Sequence, residues 1–288
     1  MTHLVLLAVG GVALGYSSLL LLLWRFQERI VFQPPADVAA QSVSTRQVRY
    51  RADDGVELFA YVVGECVRDK PVVLAFHGNA DVSRWLIPWA TSVTRETGAC
   101  VVLPEYRGYD GLRGVPTYGA SSLDARAALR FVSDTLHAAP ANLVYFGHSL
   151  GSAVATELAS FQPPRALVLQ SPFSSAREMG NRMYLPGLTV FWGLVSRVHF
   201  DTMRRVRTLA SPVWVAHGDK DLVIPVQMGR AVFAAAKHKG DLLIVHNAGH
   251  NDVPGIGGAA YWTWLAGAIR GDPVTVIRAA PAGTRSEP

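Results

Sequence analysis

Charged residues are scarce in this chain, and no part of it concentrates them. Asp, Glu, Lys and Arg make up 17% of the 288 residues, whereas hydrophobic residues make up 50%. That balance argues against an intrinsically disordered chain and favours a large buried core. The net charge of +5 is scattered, without a run of Lys and Arg, so we expect no nucleic-acid partner.

Cysteine is almost absent, since the chain has only Cys66 and Cys100. Two cysteines cannot build a disulfide framework, and their spacing is not that of a metal site, so no metal is expected. Cys100 opens an apolar run and is interpreted as a small buried side chain. The alternative is a single disulfide between the two cysteines. Both alternatives stay open, and so does the choice between a reducing and an oxidising compartment.

The first segment lacks charge altogether. Residues 4–24 contain no charged side chain, and a helix of about 20 residues crosses the hydrocarbon core of a bilayer. Trp24 ends the segment, and Arg25 and Arg29 follow it, as at a membrane interface. A cleaved signal peptide fits less well, because no basic residue precedes the apolar run. Residues 1–25 are therefore predicted to be a membrane anchor and residues 26–45 a tether. The two arginines favour a cytoplasmic main domain.

Beyond the tether, short apolar runs alternate with helical patterns. The runs cover residues 72–76, 100–103, 143–146, 166–169, 213–216 and 242–246, after an opening hairpin at residues 47–63. Helices are predicted near residues 81–96, 121–137, 150–161, 226–237 and 258–270. This alternation predicts an α/β domain over residues 46–271, with a mostly parallel sheet covered by helices on both faces. Residues 272–288 are rich in Pro, Gly and Ala and are predicted to be a disordered tail.

The pentapeptide G-H-S-L-G at residues 147–151 lies between a predicted strand and a predicted helix. In that setting the serine of G-x-S-x-G occupies a sharp, strained turn with its hydroxyl exposed. Ser149 is therefore the candidate nucleophile. A serine hydroxyl is a weak nucleophile near neutral pH, so it needs a base within hydrogen-bond reach and an acid that orients the base.

The base and the acid are sought after the strand ends, because the C-terminal ends of parallel strands meet along one edge of a sheet. His250 follows the last strand and is the candidate base among nine histidines. Asp219 and Asp221 both follow the strand before it. Asp221 is favoured as the acid, and Asp219 is interpreted as a turn residue. His217 and His246 end apolar runs and are interpreted as core histidines.

Stabilising the charge that develops on a carbonyl oxygen requires preorganised donors. The residue after the nucleophile supplies one backbone N–H, here that of Leu150. The loop after the strand at residues 72–76 is expected to supply the other, from Asn79.

Residues 176–210 are too long for a plain connection and are interpreted as a short cap. The candidate lining of an acyl pocket comprises Trp85, Met183, Phe191 and Trp192. The simpler alternative is that such residues only close the core. Six arginines of the cap either face anionic headgroups or, more simply, solvent.

Six motifs carry a family resemblance: F-H-G-N-A, E-Y-R-G-Y, G-H-S-L-G, Q-S-P-F-S-S, H-G-D-K-D-L-V-I-P and A-G-H-N-D. Over residues 46–270 the chain resembles the α/β-hydrolase superfamily, and within it the membrane-tethered, small-lid serine hydrolases related to protein depalmitoylases. The resemblance implies an α/β-hydrolase fold with neither cofactor nor metal. Two positions depart from the family pattern, since Glu105 replaces the usual Asp and Asp110 replaces a Gly.

The expected function is therefore that of a membrane-anchored serine hydrolase. It would cleave acyl esters or thioesters through Ser149, His250 and Asp221 by way of an acyl-enzyme, with membrane lipid as its other partner. One alternative is an aminopeptidase-type hydrolase, which would need an acid in the cap, where Glu178 and Asp201 are the candidates. The other is a catalytically silent, membrane-tethered scaffold. The sequence carries no indication of the oligomeric state.

Overall fold

A computed structural model describes residues 2–36, 44–183 and 196–272, and its centre is one eight-stranded sheet. The strands are β1 Arg46–Arg51, β2 Glu57–Val63, β3 Val72–Phe76, β4 Cys100–Pro104, β5 Leu143–His148, β6 Ala166–Gln170, β7 Val213–Gly218 and β8 Lys239–Val245. Their spatial order is β1-β2-β4-β3-β5-β6-β7-β8. The first two strands are antiparallel to each other, β2 is antiparallel to β4, and β3 to β8 are all parallel.

Helices cover both faces of this sheet. They are α2 Ile87–Thr97, α3 Tyr118–Arg130, α4 Leu150–Phe161, α5 Ala176–Met183, α6 Thr202–Val206, α7 Val226–Ala235 and α8 Val253–Arg270, after an N-terminal helix α1 Thr2–Val31. Helices α3, α4 and α7 pack on one face, and α2 and α8 pack on the other. The predicted mostly parallel sheet with helices on both faces is confirmed.

The central strands are continuous apolar runs because helices cover both faces of the sheet. In β5, Leu143 and Tyr145 enter the core on the α4 side, whereas Val144 and Phe146 enter the core on the α8 side. Because both faces of the strand are buried, every position needs an apolar side chain. The predicted opening hairpin is also present, as β1 and β2.

Helix α1 is longer than the predicted anchor. It runs to Val31 without a break, and none of its residues is buried. Phe32 is then 3% exposed, and its ring lies 6.3 Å from that of Phe200. The predicted boundary at residue 25 is therefore too early, because an apolar side chain after the helix packs into the core. Residues 26–33 are helix and core contact rather than tether.

Besides the closing helix, which begins at Val253 rather than at residue 258, two predicted helices begin at different residues in the structure. The segment predicted at 81–96 forms a 3₁₀ turn at Ser83–Leu86 followed by α2, where a proline occupies the first turn. The segment predicted at 121–137 begins at Tyr118, because the Thr117 side chain accepts a hydrogen bond from the Ala120 N–H. Neither shift moves a candidate site residue.

Cys66 and Cys100 form a disulfide, with their Cα atoms 4.9 Å apart. The bridge connects the loop after β2 to the first residue of β4. Cys100 is fully buried, as expected of a small core side chain, and the alternative that the sequence left open is the one observed.

Candidate active site

The turn between β5 and α4 carries Ser149 in a strained conformation. Its φ is 53° and its ψ is −117°, values that a non-glycine residue rarely adopts. The backbone beneath it is packed too closely for side chains, since a Cβ on Gly147 would lie 2.2 Å from the Gly151 carbonyl oxygen. The Ser149 N–H donates to the Gln170 carbonyl at 3.0 Å. These contacts hold the hydroxyl of Ser149 at the C-terminal edge of the sheet.

Three side chains that are distant in sequence form one hydrogen-bonded chain at that edge. His250 Nε2 lies 3.0 Å from Ser149 Oγ, and His250 Nδ1 lies 2.7 Å from Asp221 Oδ2. The Asp221 carboxylate accepts a hydrogen bond from Nδ1–H, which leaves the lone pair of Nε2 free to accept the hydroxyl proton of Ser149. The structure thus brings together the three residues proposed from the sequence.

Asp221 is held as an anion. Burial alone raises the pKa of its carboxyl, but hydrogen bonds from His217 and His250 outweigh burial and hold the pKa well below its ordinary value. The Val223 and Ile224 N–H groups also donate to Asp221 Oδ1, at 2.9 and 2.8 Å. A carboxylate with this many donors has a fixed orientation, and it orients the His250 ring in turn.

Asp219 belongs to a different pair at the protein surface. Its Oδ2 lies 2.6 Å from His246 Nδ1, and its Oδ1 accepts the Asn247 N–H. The prediction that His246 is a core histidine is wrong, because its side chain is 69% exposed at the end of the edge strand β8. His217 is buried as predicted, and its Nε2 lies 2.9 Å from the Ile224 carbonyl oxygen.

A cleft of about 590 Å³ opens over Ser149. Its apolar lining comprises Trp85, Leu86, Trp89, Phe146, Val223 and Pro254. Trp89 is fixed by a hydrogen bond from its indole N–H to Tyr261, which donates to Gln170 in turn. The volume, and apolar walls interspersed with polar groups, are typical of a site for a small molecule.

The predicted pocket residues are only partly within the described structure. Trp85 lines the cleft as predicted. The side chain of Met183, together with Phe191 and Trp192, lies outside the described residues, as do residues 184–195 of the predicted cap. Residues 37–43 of the predicted tether and 273–288 of the predicted tail lie outside them too.

His148 lines the same cleft beside His250. Their ring centroids are 5.1 Å apart, and His148 Nε2 lies 3.2 Å from the His250 carbonyl oxygen. Burial, and next the proximity of His250, lower the pKa of His148 to about 4. His148 therefore stays neutral at pH 7 and donates from Nε2, so that it positions the backbone of His250.

A buried pair that sequence reasoning missed lies beneath the loop after β3. His77 Nε2 is 2.7 Å from Glu105 Oε1, and His77 Nδ1 is 2.8 Å from the Gly78 carbonyl oxygen. Both ring nitrogens face acceptors, so the ring donates from both. Burial alone lowers the pKa of His77, but Glu105 outweighs burial and raises it. The sequence did contain a signal for this pair, because His77 and Glu105 each come directly after a buried strand.

This pair sets the direction of the Asn79 N–H. The Gly78 carbonyl and the Asn79 N–H belong to one planar trans peptide, so they point in opposite directions. His77 holds the carbonyl, and the N–H is thereby directed away from His77. A Cβ on Gly78 would lie 3.3 Å from Ser149 Cβ, so the loop passes directly against Ser149.

Two hydrogen bonds hold the side chain of Asn79 in place. Its Oδ1 accepts the Gln33 N–H at 2.8 Å and the Tyr109 hydroxyl at 3.0 Å. Gln33 comes two residues after the end of α1, so the segment that directly follows the N-terminal helix contacts the cleft wall. Sequence reasoning missed this contact, because it placed residue 33 in a tether.

No group of three or more His, Cys, Asp or Glu side chains that could hold a metal occurs within residues 2–36, 44–183 and 196–272.

Comparisons with known proteins give relatives along most of the chain. A family model described as serine aminopeptidase, S33, matches residues 68–200. The uncharacterized protein Rv2307c of Mycobacterium tuberculosis is 34% identical over 252 residues, which cover 85% of this chain and 87% of that protein. The lysophosphatidylserine lipase ABHD12 of Danio rerio is 31% identical over 186 residues, covering 58% of this chain and 47% of that protein.

Among solved structures, the esterase Pf2001 of Pyrococcus furiosus is similar with a TM-score of 0.66 at 18% identity. The match covers 82% of this chain and 98% of the esterase. At that identity the likeness shows a common fold.

Asp221 and Asp219 offer a matched pair of substitutions. Asp221→Asn should lower kcat for a p-nitrophenyl ester by roughly 10³-fold or more, because the His250 ring loses the anion that orients it. Asp219→Asn should stay within about threefold of wild type, because its partner His246 is exposed and away from Ser149. Steady-state kinetics of both variants checks this, and a larger loss for Asp219→Asn would contradict the assignment.

Glu105 is expected to act through His77 on the loop that carries Asn79. Glu105→Gln should lower kcat by roughly 10- to 100-fold with a small change in KM, since the direction of one N–H donor is lost. Glu105→Asp, which keeps the carboxylate, should recover most of kcat. The measurement is kcat and KM for all three proteins, with thermal unfolding as the control. Wild-type kcat in a folded Glu105→Gln variant would disprove this role.

Gln33 provides a second matched pair, because its backbone and not its side chain contacts Asn79. Gln33→Pro removes the N–H, whereas Gln33→Ala retains it. We expect Gln33→Pro to lower kcat by about three- to tenfold, the effect of one hydrogen bond, and Gln33→Ala to have no effect. Ester hydrolysis in detergent micelles tests this, and identical kinetics for the two variants would contradict it.

Proposed function

Because the chain belongs to the α/β-hydrolase superfamily, we propose that it is a membrane-anchored serine hydrolase that cleaves esters or thioesters of acyl chains. The observation that carries the proposal is the Ser149–His250–Asp221 chain of hydrogen bonds at the base of an apolar cleft. Esterase and lipase relatives support a hydrolase of ester-type substrates.

In the proposed reaction Ser149 Oγ attacks the carbonyl carbon of the substrate. His250 Nε2 accepts the hydroxyl proton as the new C–O bond forms, and Asp221 stabilises the resulting imidazolium. The proton then passes to the departing alcohol or thiol, whose bond to the carbonyl carbon breaks and leaves an acyl-enzyme. A water molecule attacks the acyl-enzyme by the same steps and releases the carboxylic acid.

The oxyanion that forms at each step is proposed to accept the N–H groups of Leu150 and Asn79. Leu150 begins α4 directly after Ser149, and Asn79 lines the cleft. The His77–Glu105 pair supports this role, because it holds the peptide to which the Asn79 N–H belongs. Donors positioned before the reaction stabilise the transition state without reorganisation.

Apolar walls support an acyl substrate. Trp85, Trp89, Phe146 and Val223 line the cleft beside Ser149 and offer an apolar surface to an acyl chain. The lysophosphatidylserine lipase from Danio rerio, by its name, acts on an acyl lipid, which is in line with this substrate class.

An aminopeptidase-type activity finds less support. Of its candidate acids, Glu178 accepts a hydrogen bond from Ser174, and Asp201 accepts the Arg204 N–H at the start of α6. Among the described residues that line the cleft, Asp81 is the one carboxylate, and burial raises its pKa, which disfavours the charged form that an amine would need. A silent scaffold is also disfavoured, because such a protein has no physical need for the hydrogen bonds of Asp221.

The membrane anchor is proposed on the length and hydropathy of α1. The helix has 30 residues with a mean hydropathy of 2.1 over its most apolar window, and that window is 0% buried. A helix of this length and hydropathy is long and apolar enough to span a bilayer. The disulfide is typical of an oxidising compartment and argues against the cytoplasmic side that Arg25 and Arg29 favour.

Labelling of the detergent-solubilised chain with a fluorophosphonate probe tests the proposed nucleophile. Wild type should be labelled, and Ser149→Ala should not, because the probe reacts only with an activated serine. Hydrolysis of p-nitrophenyl esters and acyl thioesters of increasing chain length should fall by roughly 10⁴-fold or more in Ser149→Ala. Equal hydrolysis by the two proteins would remove Ser149 from the mechanism.

An aminoacyl p-nitroanilide panel is the comparison for the alternative activity. Turnover of the anilides above that of the acyl esters would replace the proposed substrate class. Absence of probe labelling in folded wild-type protein would favour the silent scaffold.

A further inference from the structure

The opening of the cleft is bordered by an exposed apolar rim, defined here as Trp85, Leu222, Val223 and Ile256. Leu222 is 92% exposed, Val223 56%, Ile256 54% and Trp85 49%. Two of them, Trp85 and Val223, also line the cleft. Leu222 precedes Val223 in the chain, and Ile256 comes two residues after Pro254, which also lines the cleft. Scattered exposed apolar residues need no explanation, but a group beside one cleft marks an interaction surface.

The N-terminal helix docks at the same edge of the sheet as the rim. The two residues after it, Phe32 and Gln33, contact Phe200, which follows β6, and Asn79, which follows β3. Glu28 of the helix accepts the Tyr118 N–H, in the segment after β4. The rim residues follow β3, β7 and β8. Because β3 to β8 are parallel, all these segments lie at the one edge where the strands end.

The helix also sets how far this edge lies from the membrane. Its 30 residues extend about 45 Å at 1.5 Å per residue, which matches a bilayer including its headgroups. Arg25 and Arg29 are exposed near its end, and both guanidinium groups lie over the Phe26 ring, as expected at the headgroup level. Gln33, which contacts the cleft wall, comes only four residues after Arg29. The cleft is therefore held next to the headgroups.

We propose that the apolar rim rests in the boundary between headgroups and acyl chains of the bilayer that carries α1, and that acyl substrate enters the cleft from this same membrane. The inference rests on the anchored acyl hydrolase proposed above. The bilayer is the proposed partner of this surface, because the rim lies at the same edge of the sheet as the residues that dock directly after α1. Burying such apolar side chains in the interface is favourable and adds to the attachment of the anchor.

Depth-dependent fluorescence quenching tests the location of the rim. Leu222→Cys and Phe161→Cys are each labelled with an environment-sensitive fluorophore, since Cys66 and Cys100 are joined as a disulfide. Phe161 is 57% exposed at the far end of α4, at the opposite edge of the sheet, and is the control. In nanodiscs containing nitroxide-labelled lipid, the full chain should be quenched at position 222 and not at 161. Equal quenching at both positions would overturn the proposal.

Activity on two substrates tests the function of the rim. The double variant Leu222→Gln/Ile256→Gln should hydrolyse a long-chain acyl ester embedded in the nanodisc about tenfold more slowly, as expected when apolar contact with the bilayer is lost. Its kcat/KM for water-soluble p-nitrophenyl acetate should stay within about twofold of wild type, because neither side chain lines the cleft. The matched control is Val67→Gln/Phe161→Gln, at the opposite edge, which should change neither rate.

The outcomes separate this inference from the function on which it rests. Unchanged hydrolysis of the embedded ester by the rim variant would overturn the inference while leaving the hydrolase intact. If the wild-type protein does not hydrolyse p-nitrophenyl acetate, the proposed hydrolase function is overturned instead. If the rim substitutions change the number of chains per nanodisc, the rim binds a second copy of the chain, and the bilayer is the wrong occupant.

Discussion

Close backbone packing beneath Ser149 is the constraint on which the rest of the site depends. A Cβ on Gly151 would lie 2.2 Å from the Phe76 carbonyl oxygen, so α4 meets the end of β3 with no side chain between them. The same approach brings the Gly78 peptide against Ser149. Because one contact positions both the proposed nucleophile and the loop of the proposed oxyanion donor, their relative geometry is set by the sheet rather than by mobile side chains.

Two buried carboxylates support the proposed catalytic groups, and each is hydrogen-bonded to histidine. Asp221 accepts from His250 and His217, and Glu105 accepts from His77. An uncompensated buried charge is costly, so each carboxylate and its donors hold one another in a single arrangement. On one side of Ser149 this arrangement orients the proposed base, and on the other it orients the Gly78 peptide.

The N-terminal helix is part of the same structural unit. Phe32 is buried against Phe200, and the Gln33 N–H binds the side chain of Asn79. A flexible tether would let the domain turn freely above a membrane. A helix that is followed at once by a core contact instead relates the orientation of the cleft to that of the proposed span. The proposed membrane attachment and the geometry of the cleft wall therefore depend on the same few contacts.

The order of strands and helices, and the candidate residues Ser149, His250 and Asp221, could be predicted from the sequence alone. Strands buried on both faces leave continuous apolar runs, and parallel strand ends must meet at one edge. Only the tertiary structure showed that His246 is exposed, that α1 continues to Val31, and that Glu105 reaches His77. Those outcomes depend on which groups meet across 27 or more positions of chain, and local pattern carries no information about such pairs.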